Sequence, residues 1–493
     1  MKPSALFSSP ATDPVPSPQT TFKQDKAAIL VTQELEKAIA ECKKKVASIA
    51  KSCRAKNRRF RDPEFDLERD KDRCLHGLSG SQYSPSDVRR VNEIFDDPQF
   101  YIDGVSSSDL VQGGIGDCWF ISALATASCA PGLVEKFCVA RDEQVGVYGF
   151  IFFRDAAWVT VIIDDLLYSS IPKYEELSFT EKSLYHNNKD IYNKTARRGG
   201  KSLLFARSGT ENETWVPLIE KAYAKLHGDY YALSGGFSHE AIEDMTGGIA
   251  GLIRTQDILD IDQFWNEELL NANQGRLFGC SFENMQTDRL EFPFPQIVKG
   301  LFGSHDYSVL RAVEFKGKRF VVVRNPWGES EWTGPWSDGS KEWTKETLEA
   351  LSVLGHEFGD DGQFVMEYRD FLASWGHVHR TLLFDSSWVM SSHWLRVPVR
   401  PFPSNLEYGD VSFTINIPKV TRTVIVLSRL DDRYFRDLAG SSDWSFNFIL
   451  YKKGDPEEIM ESQKLYFGLR SVNIELELDA GDYVVHVGTA SMM

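Results

Sequence analysis

Residues 112–128 read QGGIGDCWFISALATAS, in which glycines crowd a single cysteine and an apolar run follows at once. The run predicts a helix that begins at Cys118. A helix N-terminus and a neighbouring imidazolium both favour a thiolate, so this cysteine is either a small core residue or an activated nucleophile. Gly113, Gly114 and Gly116 would let the backbone turn sharply and would leave room for a substrate. Residues elsewhere in the sequence distinguish the two interpretations.

The length and charge of the chain exclude several classes of protein. At 493 residues it should hold about two to four domains. Acidic residues outnumber basic ones 71 to 55, for a net charge of −16, which argues against nucleic acid as the main partner. The same charge suits a soluble protein that collects cations. The sequence has no apolar run of about 18 residues to span a membrane, and MKPSALFSSPATDPVPSPQTTF at its start lacks the apolar segment of a signal peptide.

The cysteines favour a reducing compartment. There are seven of them, an odd number at irregular spacings, without the paired CxxC pattern of zinc sites. This pattern disfavours a disulfide framework and indicates the cytoplasm. The cysteines are Cys42, Cys53, Cys74, Cys118, Cys129, Cys138 and Cys280.

Two N-terminal segments precede the cysteine-containing motif. Residues 1–23 are rich in Pro, Ser and Thr, which predicts disorder. Residues 24–80 are interpreted as an N-terminal helical extension, because apolar residues recur there at spacings of three and four. That apolar face could form a coiled-coil contact, although its short length favours packing on the protein's own body. The residues on this face are Leu35, Ile39, Cys42, Val46, Ile49 and Cys53.

The region after the cysteine mixes strand and helix patterns. VGVYGFIFF (145–153) and WVTVIID (158–164) are rich in β-branched and aromatic residues and predict strands. WVPLIEKAYAKLHG (215–228) predicts an amphipathic helix that ends at Gly228. Between them, the polar residues 173–201 are interpreted as an inserted loop, which could carry regulatory or partner contacts or could equally be a passive surface.

The second half of the sequence is dominated by strand patterns. RAVEFKGKRFVVV (311–323) predicts a hairpin with Gly317 in its turn. From residue 386 onward, polar and apolar residues alternate with a period of two, which predicts a separate β-sandwich. The sequence contains no EF-hand loop of the type D-x-[DN]-x-[DN]-G.

A cysteine nucleophile needs a base and a residue that orients the base. His305 in KGLFGSHDYSVL follows glycines at the head of a strand-like segment, and Asn325 in VVVRNPWGESEW follows a β-run that Pro326 ends. The chain order is therefore Cys, His, Asn, which is the papain-type order, in which the Asn amide carbonyl holds the imidazole. Each residue alone is a weak signal, whereas their combination favours the nucleophile interpretation of Cys118.

Longer motifs make the comparison more specific. QGGIGDCWF, GSHDYSV, RNPWGESEWTGPWSD and WVPLIEKAYAKLHGDYYALSGG together resemble the calpain family of cysteine proteases. The resemblance runs from RRFRDPEF (58–65) to the end of the sequence, and it is nearest to fungal calpains without a C-terminal EF-hand domain. It implies an α+β fold, with a two-lobed papain-like calpain protease core followed by an all-β calpain-type β-sandwich. The implied boundaries are 81–248 for the Cys lobe, 249–385 for the His/Asn lobe and 386–493 for the β-sandwich.

The resemblance also implies a role for each residue of the site. Cys118 would be the nucleophile, His305 the general base and then acid, and Asn325 the orienting residue. Gln112 would donate its side-chain amide to the oxyanion hole, together with the Cys118 backbone N–H. Trp327 would lie near the cleft and would move before the site assembles. The predicted cleft residues are Gly116, Trp119 and Trp327.

Each lobe of the protease core in this family binds a calcium ion outside any EF-hand, so the resemblance implies two sets of ligands. The first set consists of Ile102, Gly104, Asp109 and Glu213. Asp109 lies three residues before Gln112, so calcium there could bring the oxyanion segment into line. Alternatively, Asp109 could be a helix cap or turn acid, and Glu213 an exposed loop acid. The second set consists of Glu331, Asp338, Asp361 and Gln363. Because Gln363 stands where the family usually carries a carboxylate, one charge is lost and this site should be weaker.

The sequence therefore predicts a calcium-dependent intracellular cysteine endopeptidase that makes limited cuts in protein substrates. Two alternatives are a catalytically silent calpain-like protein that acts as a scaffold or binds lipid or protein, and another acyl-transfer enzyme such as a transglutaminase. The NPWGE motif and the calcium positions disfavour the second. The β-sandwich could contact a membrane surface or a protein, and its loop acids either bind calcium or are solvated turns. These acids are Asp431, Asp432, Asp437 and Asp443.

Overall fold

The structure is a computed structural model that describes residues 28–80, 83–283, 297–396, 408, 410–435, 443–463 and 469–492. The predicted disordered segment 1–23 lies outside these residues, as do Asp437 and the side chain of Asp443. Helices and strands both occur, so the protein is a mixed helix-and-sheet structure. The helices are α1 (Gln33–Ala55), α2 (Lys71–Cys74), α3 (Val91–Ile94), α4 (Cys118–Ser128), α5 (Phe179–Leu184), α6 (Lys189–Thr195), α7 (Trp215–His227), α8 (Ser238–Thr246), α9 (Ile261–Gln263), α10 (Ala350–Leu354) and α11 (Tyr368–Ser374).

The strands pair antiparallel in all the sheets of the described residues. The larger sheets have the orders β3-β4-β5, β14-β13-β12-β9-β15-β8 and β16-β21-β18-β19. The bounds are β1 (Asp87–Arg90), β2 (Leu110–Val111), β3 (Cys138–Asp142), β4 (Val147–Arg154), β5 (Ala157–Asp164), β6 (Leu166–Ser169), β7 (Arg207–Ser208), β8 (Ile249–Arg254), β9 (Arg276–Ser281), β10 (Ile297–Val298), β11 (Leu301–Phe302), β12 (Tyr307–Phe315), β13 (Lys318–Arg324), β14 (Gln363–Glu367), β15 (His377–Leu382), β16 (Ser412–Ile417), β17 (Thr421–Ser428), β18 (Asp443–Lys452), β19 (Glu458–Glu461), β20 (Ser471–Leu478) and β21 (Gly481–Met492).

The N-terminal helix α1 packs on the protein's own body. Its apolar face lies against the sheet β3-β4-β5, and Leu35, Cys42 and Val46 are buried there. The approach is so close that a Cβ at Gly149 on β4 would lie 2.5 Å from the Cys42 sulfur. The structure therefore confirms the interpretation that this face packs on the protein's own body rather than forming a coiled coil.

The helix α4 lies in the middle of the largest hydrophobic core. All nine residues from Trp119 to Ala127 are buried. Phe120 stacks on Tyr223 of α7 with ring centroids 4.2 Å apart. Because neighbours surround the helix on every side, its N-terminal residue, Cys118, is held at a fixed place.

The six-stranded sheet positions the two other residues of the predicted triad. His305 directly precedes the segment that leads into β12, and Asn325 directly follows β13. The hairpin of β12 and β13 has Gly317 in its turn, as the sequence predicts, with φ of +77°. Since adjacent antiparallel strands bring the start of one beside the end of the next, this hairpin places His305 next to Asn325.

The prediction that residues 173–201 form a loop is wrong, because the segment contains α5 and α6. Ser178 caps α5, and Glu181 bonds back to the Ser178 backbone N–H at 2.8 Å, which is a capping box. Asn188 caps α6. Tyr192 on α6 is buried and its hydroxyl donates to Pro172 O at 2.9 Å, so the segment is docked on the body.

The C-terminal region is built from strands, and burial alternates along β16 as the period-two pattern predicts. The sheet β16-β21-β18-β19 and the pair β17-β20 bury their apolar side chains in one shared cluster, which includes Phe448, Leu450 and Val472. This region contacts the rest of the protein through α8, where Arg470 pairs with Asp244 at 2.6 Å. In the part of the chain that the structure describes, no helix is long and apolar enough to cross a bilayer.

Candidate active site

The segment before Cys118 is fixed by close backbone contacts. A Cβ at Gly113 would lie 2.1 Å from the Phe205 carbonyl carbon, so only glycine fits there. Gly114 N–H donates to Leu204 O at 2.9 Å. The backbone bends at residues 114–116, although none of the three glycines has a left-handed conformation. At Gly113, glycine is required by the close approach of the Phe205 backbone.

Gln112 connects the two sides of the candidate site. Its backbone N–H donates to Pro326 O at 3.3 Å, which joins the cysteine segment to the Asn-Pro turn. Its side-chain Nε2 donates to Ile115 O at 2.7 Å, and its Oε1 is buried without a hydrogen bond among the described residues. One of the two Nε2 hydrogens is therefore used internally, and the second remains for a ligand.

His305 and Asn325 form the contact that the sequence predicts. The distance between His305 Nε2 and Asn325 Oδ1 is 2.9 Å. Because an amide oxygen can only accept, the proton lies on Nε2 and leaves Nδ1 with its lone pair. Asn325 is itself held, since its Nδ2 donates to Ser330 O at 2.9 Å. Trp327 packs on the imidazole, with ring centroids 4.3 Å apart.

The thiol and the imidazole are both neutral and are not bonded to each other. No hydrogen bond between Cys118 Sγ and the His305 ring occurs within the described ranges. Burial raises the pKa of Cys118 to about 12 and lowers the pKa of His305 to about 4. The Trp119 backbone N–H at the helix start lowers the pKa of the thiol, but burial and the charges of Asp306 and Asp117 outweigh this contribution.

Asp117 forms part of the acidic surroundings of the thiol. It is fully buried, and neither of its carboxylate oxygens has a hydrogen-bond partner within the described residues. Its neighbour is the carboxyl of Glu220, which accepts the Ala206 N–H at 3.0 Å. Burial raises the pKa of both acids, that of Asp117 to about 7. The charge of Asp117 raises the pKa of Glu220 further.

Trp119 is a core residue, not a cleft residue as predicted. Its ring is 0% exposed and its Nε1 donates to Leu233 O at 2.8 Å. The guanidinium carbon of Arg433 lies 4.2 Å from the ring centroid. Arg433 comes from the C-terminal strand region and also donates to Gly235 O at 2.8 Å. Gly116, by contrast, is exposed, and its carbonyl accepts the Gly235 N–H at 2.8 Å.

Asp109 and Glu213, the two acids of the first predicted set, are joined through Ser208 and Thr210. Glu213 Oε1 accepts the Ile102 N–H at 2.8 Å, and its other oxygen accepts the Ser208 hydroxyl at 2.6 Å. Asp109 accepts the Thr210 hydroxyl at 2.9 Å. Burial raises the pKa of both carboxyls, and the charge of Asp109 raises that of Glu213 further. Glu213 is buried and is not the exposed loop acid of the alternative interpretation. Asp109 is buried too, but its carboxylate caps the turn at Ser107–Asp109 by accepting the Ser106 N–H at 2.7 Å, as the alternative interpretation has it.

The second set also comes together, and a histidine joins it. Glu331 accepts the Gly362 N–H at 3.0 Å and Asp361 accepts the Gln363 N–H at 2.8 Å. His356, which was not predicted, lies with Nε2 2.7 Å from Asp338 Oδ1 and with Nδ1 3.2 Å from Gln363 Nε2. Burial raises the pKa of Glu331 to about 7, with Asp338 and Asp361 adding to the shift.

The donor chemistry of both sets fits a hard cation, because the side chains supply oxygens and their carboxylates repel one another. In the first set, Gly104 is exposed and has φ of +96°. Within the described residues no group of three His, Cys, Asp or Glu side chains is arranged to hold a metal ion. The carboxylates would therefore need backbone carbonyls to complete a shell.

The chain is similar in sequence to proteins of a known family. A family model described as "Calpain family cysteine protease" matches residues 60–380. Calpain-9 of Mus musculus is 35% identical over 446 residues, which cover 80% of this chain and 58% of that protein. The calpain-1 catalytic subunit of Bos taurus is 34% identical over 293 residues, which cover 58% of this chain and 36% of that protein. Calpain-5 of Rattus norvegicus is 27% identical over 493 residues, 89% of this chain and 71% of that protein.

The matched region contains every residue of the predicted triad, and it defines the class as cysteine proteases. The chain belongs to the calpain family. It spans 58% of the length of calpain-9 and 36% of the length of the calpain-1 catalytic subunit.

Proposed function

We propose that the protein is a calcium-dependent cysteine endopeptidase in which Cys118 is the nucleophile. The observation that carries the proposal is the 2.9 Å contact between His305 Nε2 and Asn325 Oδ1 in a chain whose family is calpain. With Nε2–H fixed on Asn325, the Nδ1 lone pair is the one that would accept the thiol proton. The Cys118 thiolate then attacks the carbonyl carbon of the peptide bond.

The oxyanion formed in that attack needs donors that are already in place. We assign this role to the Cys118 backbone N–H and the second Nε2 hydrogen of Gln112. The imidazolium of His305 then gives its proton to the departing amine, and an acyl-enzyme thioester is left on Cys118. A water molecule, deprotonated by His305, attacks this thioester. The products are the carboxylic acid and the free thiol, so the protons balance over one turnover.

The resting geometry supports a site that closes before it acts. We place the thiol and the imidazole on the two lobes of a papain-like core, residues 81–248 and 249–385. Trp327, packed 4.3 Å from the imidazole, would then move aside as the lobes approach. A separation between base and nucleophile prevents reaction, since proton transfer needs a hydrogen-bonded pair. Strict gating of this kind suits limited cleavage of exposed, extended segments of protein substrates.

Calcium is the ligand that we propose for Asp109 and Glu213 with the carbonyls of Ile102 and Gly104. When bound, the ion would supply the positive charge that these buried carboxylates lack. Asp109 lies three residues before Gln112, so an ion bound at Asp109 would affect the position of the Gln112 side chain, the proposed oxyanion donor. Glu331, Asp338, Asp361 and Gln363 would form the second, weaker site, because Gln363 contributes an amide rather than a carboxylate.

We propose that residues 386–493 form a calpain-type β-sandwich, in support of which two sheets share one cluster. It could contact a membrane surface or a protein. All seven cysteines are free, which supports a cytoplasmic, reducing location. The proposed N-terminal segment 24–80 precedes the core.

Cleavage of casein with calcium, with a chelator and with Cys118→Ala tests the proposal. We expect cleavage that requires both calcium and Cys118. Cleavage that requires Cys118 but persists with chelator would retain the protease and remove calcium gating. A folded protein that cleaves nothing with calcium would favour the catalytically silent alternative, and crosslinked products would favour acyl transfer to amines.

A further inference from the structure

Two buried serines join the segments that carry the proposed nucleophile and the proposed base. Ser122 lies on α4, four residues after Cys118. Ser308 lies on β12, three residues after His305. Both side chains are 0% exposed. The Ser308 hydroxyl donates to Ser122 O at 2.8 Å, and the two Oγ atoms are 3.0 Å apart. This serine pair, Ser122 and Ser308, is therefore a direct polar contact between the helix of the cysteine and the strand that follows the histidine.

The two contacts define the direction of both hydroxyl hydrogens. The Ser308 hydroxyl has one hydrogen, which it donates to the Ser122 carbonyl, so its oxygen is the acceptor in the contact between the hydroxyls. Ser122 is then the donor in that contact, and each hydroxyl is satisfied by the other serine. Separation of the pair would leave a buried hydroxyl without its partner, which is unfavourable. The serine pair therefore resists a change in the spacing between α4 and β12.

Ser308 also lies beside the segment that carries Asn325. In the hairpin of β12 and β13, Ser308 is paired with Arg324, the residue directly before Asn325. On its other side, Ser308 is paired with Gly279 of β9. Neighbouring strands thus hold its backbone from both sides, while its hydroxyl reaches α4. The elements that carry the nucleophile, the base and the orienting residue are all connected through this one serine.

We propose that Ser308 is a positioning residue, whose hydroxyl holds α4 against β12 so that the Cys118 thiol and the His305 imidazole meet in one orientation. The inference rests on the proposed function, in which these two groups react together. Ser308 acts through the backbone of α4, and an approach of the imidazole to the thiol that preserves the contact is a rotation about the serine pair. Because proton transfer depends on alignment, loss of the contact should slow the reaction without weakening substrate binding.

The test is the rate at which iodoacetamide alkylates Cys118 in the full chain with saturating calcium, at about pH 7.5, followed on the Cys118 peptide by mass spectrometry. His305→Ala gives the rate without the base. We expect the wild type to react faster than His305→Ala, because the imidazole takes the thiol proton. Ser308→Ala should lose about tenfold of this rate. In casein cleavage, its kcat should fall by about the same factor, while KM changes by less than about twofold.

Two further variants separate positioning from stability. Ser122→Ala keeps the carbonyl that accepts the Ser308 hydroxyl and removes only the second bond, so its rate should fall by about threefold at most. Ser462→Ala is the matched control, since Ser462 is a buried serine of the C-terminal region whose hydroxyl accepts the Phe448 N–H at 2.9 Å. It should lower the melting temperature, as Ser308→Ala does, and leave the alkylation rate and kcat unchanged.

The outcomes distinguish the inference from the proposed function. An alkylation rate of Ser308→Ala equal to that of the wild type overturns the inference alone, as does an equal loss in Ser462→Ala. If Ser308→Ala does not fold, an unchanged rate in Ser122→Ala overturns it. A wild type that reacts no faster than His305→Ala overturns the inference together with the pairing of Cys118 and His305. Alkylation that depends on His305 and on Ser308, in a protein that cleaves no casein, would support the inference and remove the peptidase assignment.

Discussion

The two candidate calcium sites contain similar acids whose oxygens are satisfied in different ways. In the first, Asp109 and Glu213 accept from the hydroxyls of Thr210 and Ser208 and from backbone N–H groups. In the second, Asp338 is bonded to a buried imidazole, His356, whose other nitrogen faces the Gln363 amide. A hydroxyl can rotate to give up a carboxylate oxygen at little cost, whereas a buried ring cannot.

This difference indicates that the two sites respond differently to a cation. The first is a pair of carboxylates, each with one oxygen bonded to a rotatable hydroxyl, and the charge of Asp109 opposes ionisation of Glu213. The second already has an internal chain from Gln363 through His356 to Asp338, which orders the loop without an ion. We therefore expect the first site to supply most of the calcium response, and the following substitutions test that expectation.

The largest effect should come from Glu213→Gln. The amide keeps the acceptor for Ile102 N–H, so the local fold should persist, but one charge is lost from a two-carboxylate site. We expect calcium affinity at this site to fall on the order of 100-fold, with a matching loss of casein cleavage at limiting calcium. Isothermal titration should show that the tighter of two binding events disappears. Glu211→Gln, an exposed acid two residues earlier, is the control and should leave both events intact.

His356→Ala should have the next largest effect, and on stability rather than on binding. The substitution removes the partner of Asp338 Oδ1 and of Gln363 Nε2 from a buried position. We expect the calcium-free protein to lose about 2 kcal/mol of unfolding free energy, measured by denaturant titration. Glu357→Ala, at the exposed neighbouring residue, should change it by less than about 0.5 kcal/mol. An unchanged stability of His356→Ala would show that the ring does not order this loop.

Much of the fold follows from local pattern, whereas the surroundings of the site do not. The strands β4 and β5 and the helix α7 lie within a residue or two of the positions that periodicity predicts. The helix α5 could also have been predicted, since Ser178 and Glu181 form the Ser-x-x-Glu signature of a capping box. The error there was to treat a polar segment as irregular.

The order Cys, His, Asn is readable from motifs, but the acids around the thiol are not. His239 and His379 are 140 residues apart and meet only because α8 packs against β15. His356 similarly reaches Asp338 across a loop. The raised pKa of the Cys118 thiol depends on burial and on Asp306, and a sequence that predicts a helix N-terminus carries no information on either.

Gln363→Glu tests the difference between the two sites by changing the second one. It restores a carboxylate to the second set, so calcium affinity there should rise about tenfold. The new oxygen would face Gly355 O and the lone pair of His356 Nδ1, which the amide now contacts as a donor. The calcium-free protein should therefore melt at a lower temperature, and calcium should stabilise it more. Gln363→Met, which removes the donor without adding charge, should lower the melting temperature without raising affinity.

The smallest effect should come from Thr210→Val in the first site. The change removes the hydroxyl that donates to Asp109 at 2.9 Å and preserves the shape of the side chain. We expect a loss of about 1 kcal/mol in unfolding free energy without calcium, because one hydrogen bond to a buried acid is lost. With that competitor gone, calcium affinity should rise by about threefold at most, the equivalent of less than 1 kcal/mol. Thr180→Val, at an exposed threonine, should change neither quantity. A large destabilisation by Thr210→Val, equal to that of His356→Ala, would mean that the hydroxyl is as firmly built in as the imidazole and that the two sites do not differ in this respect.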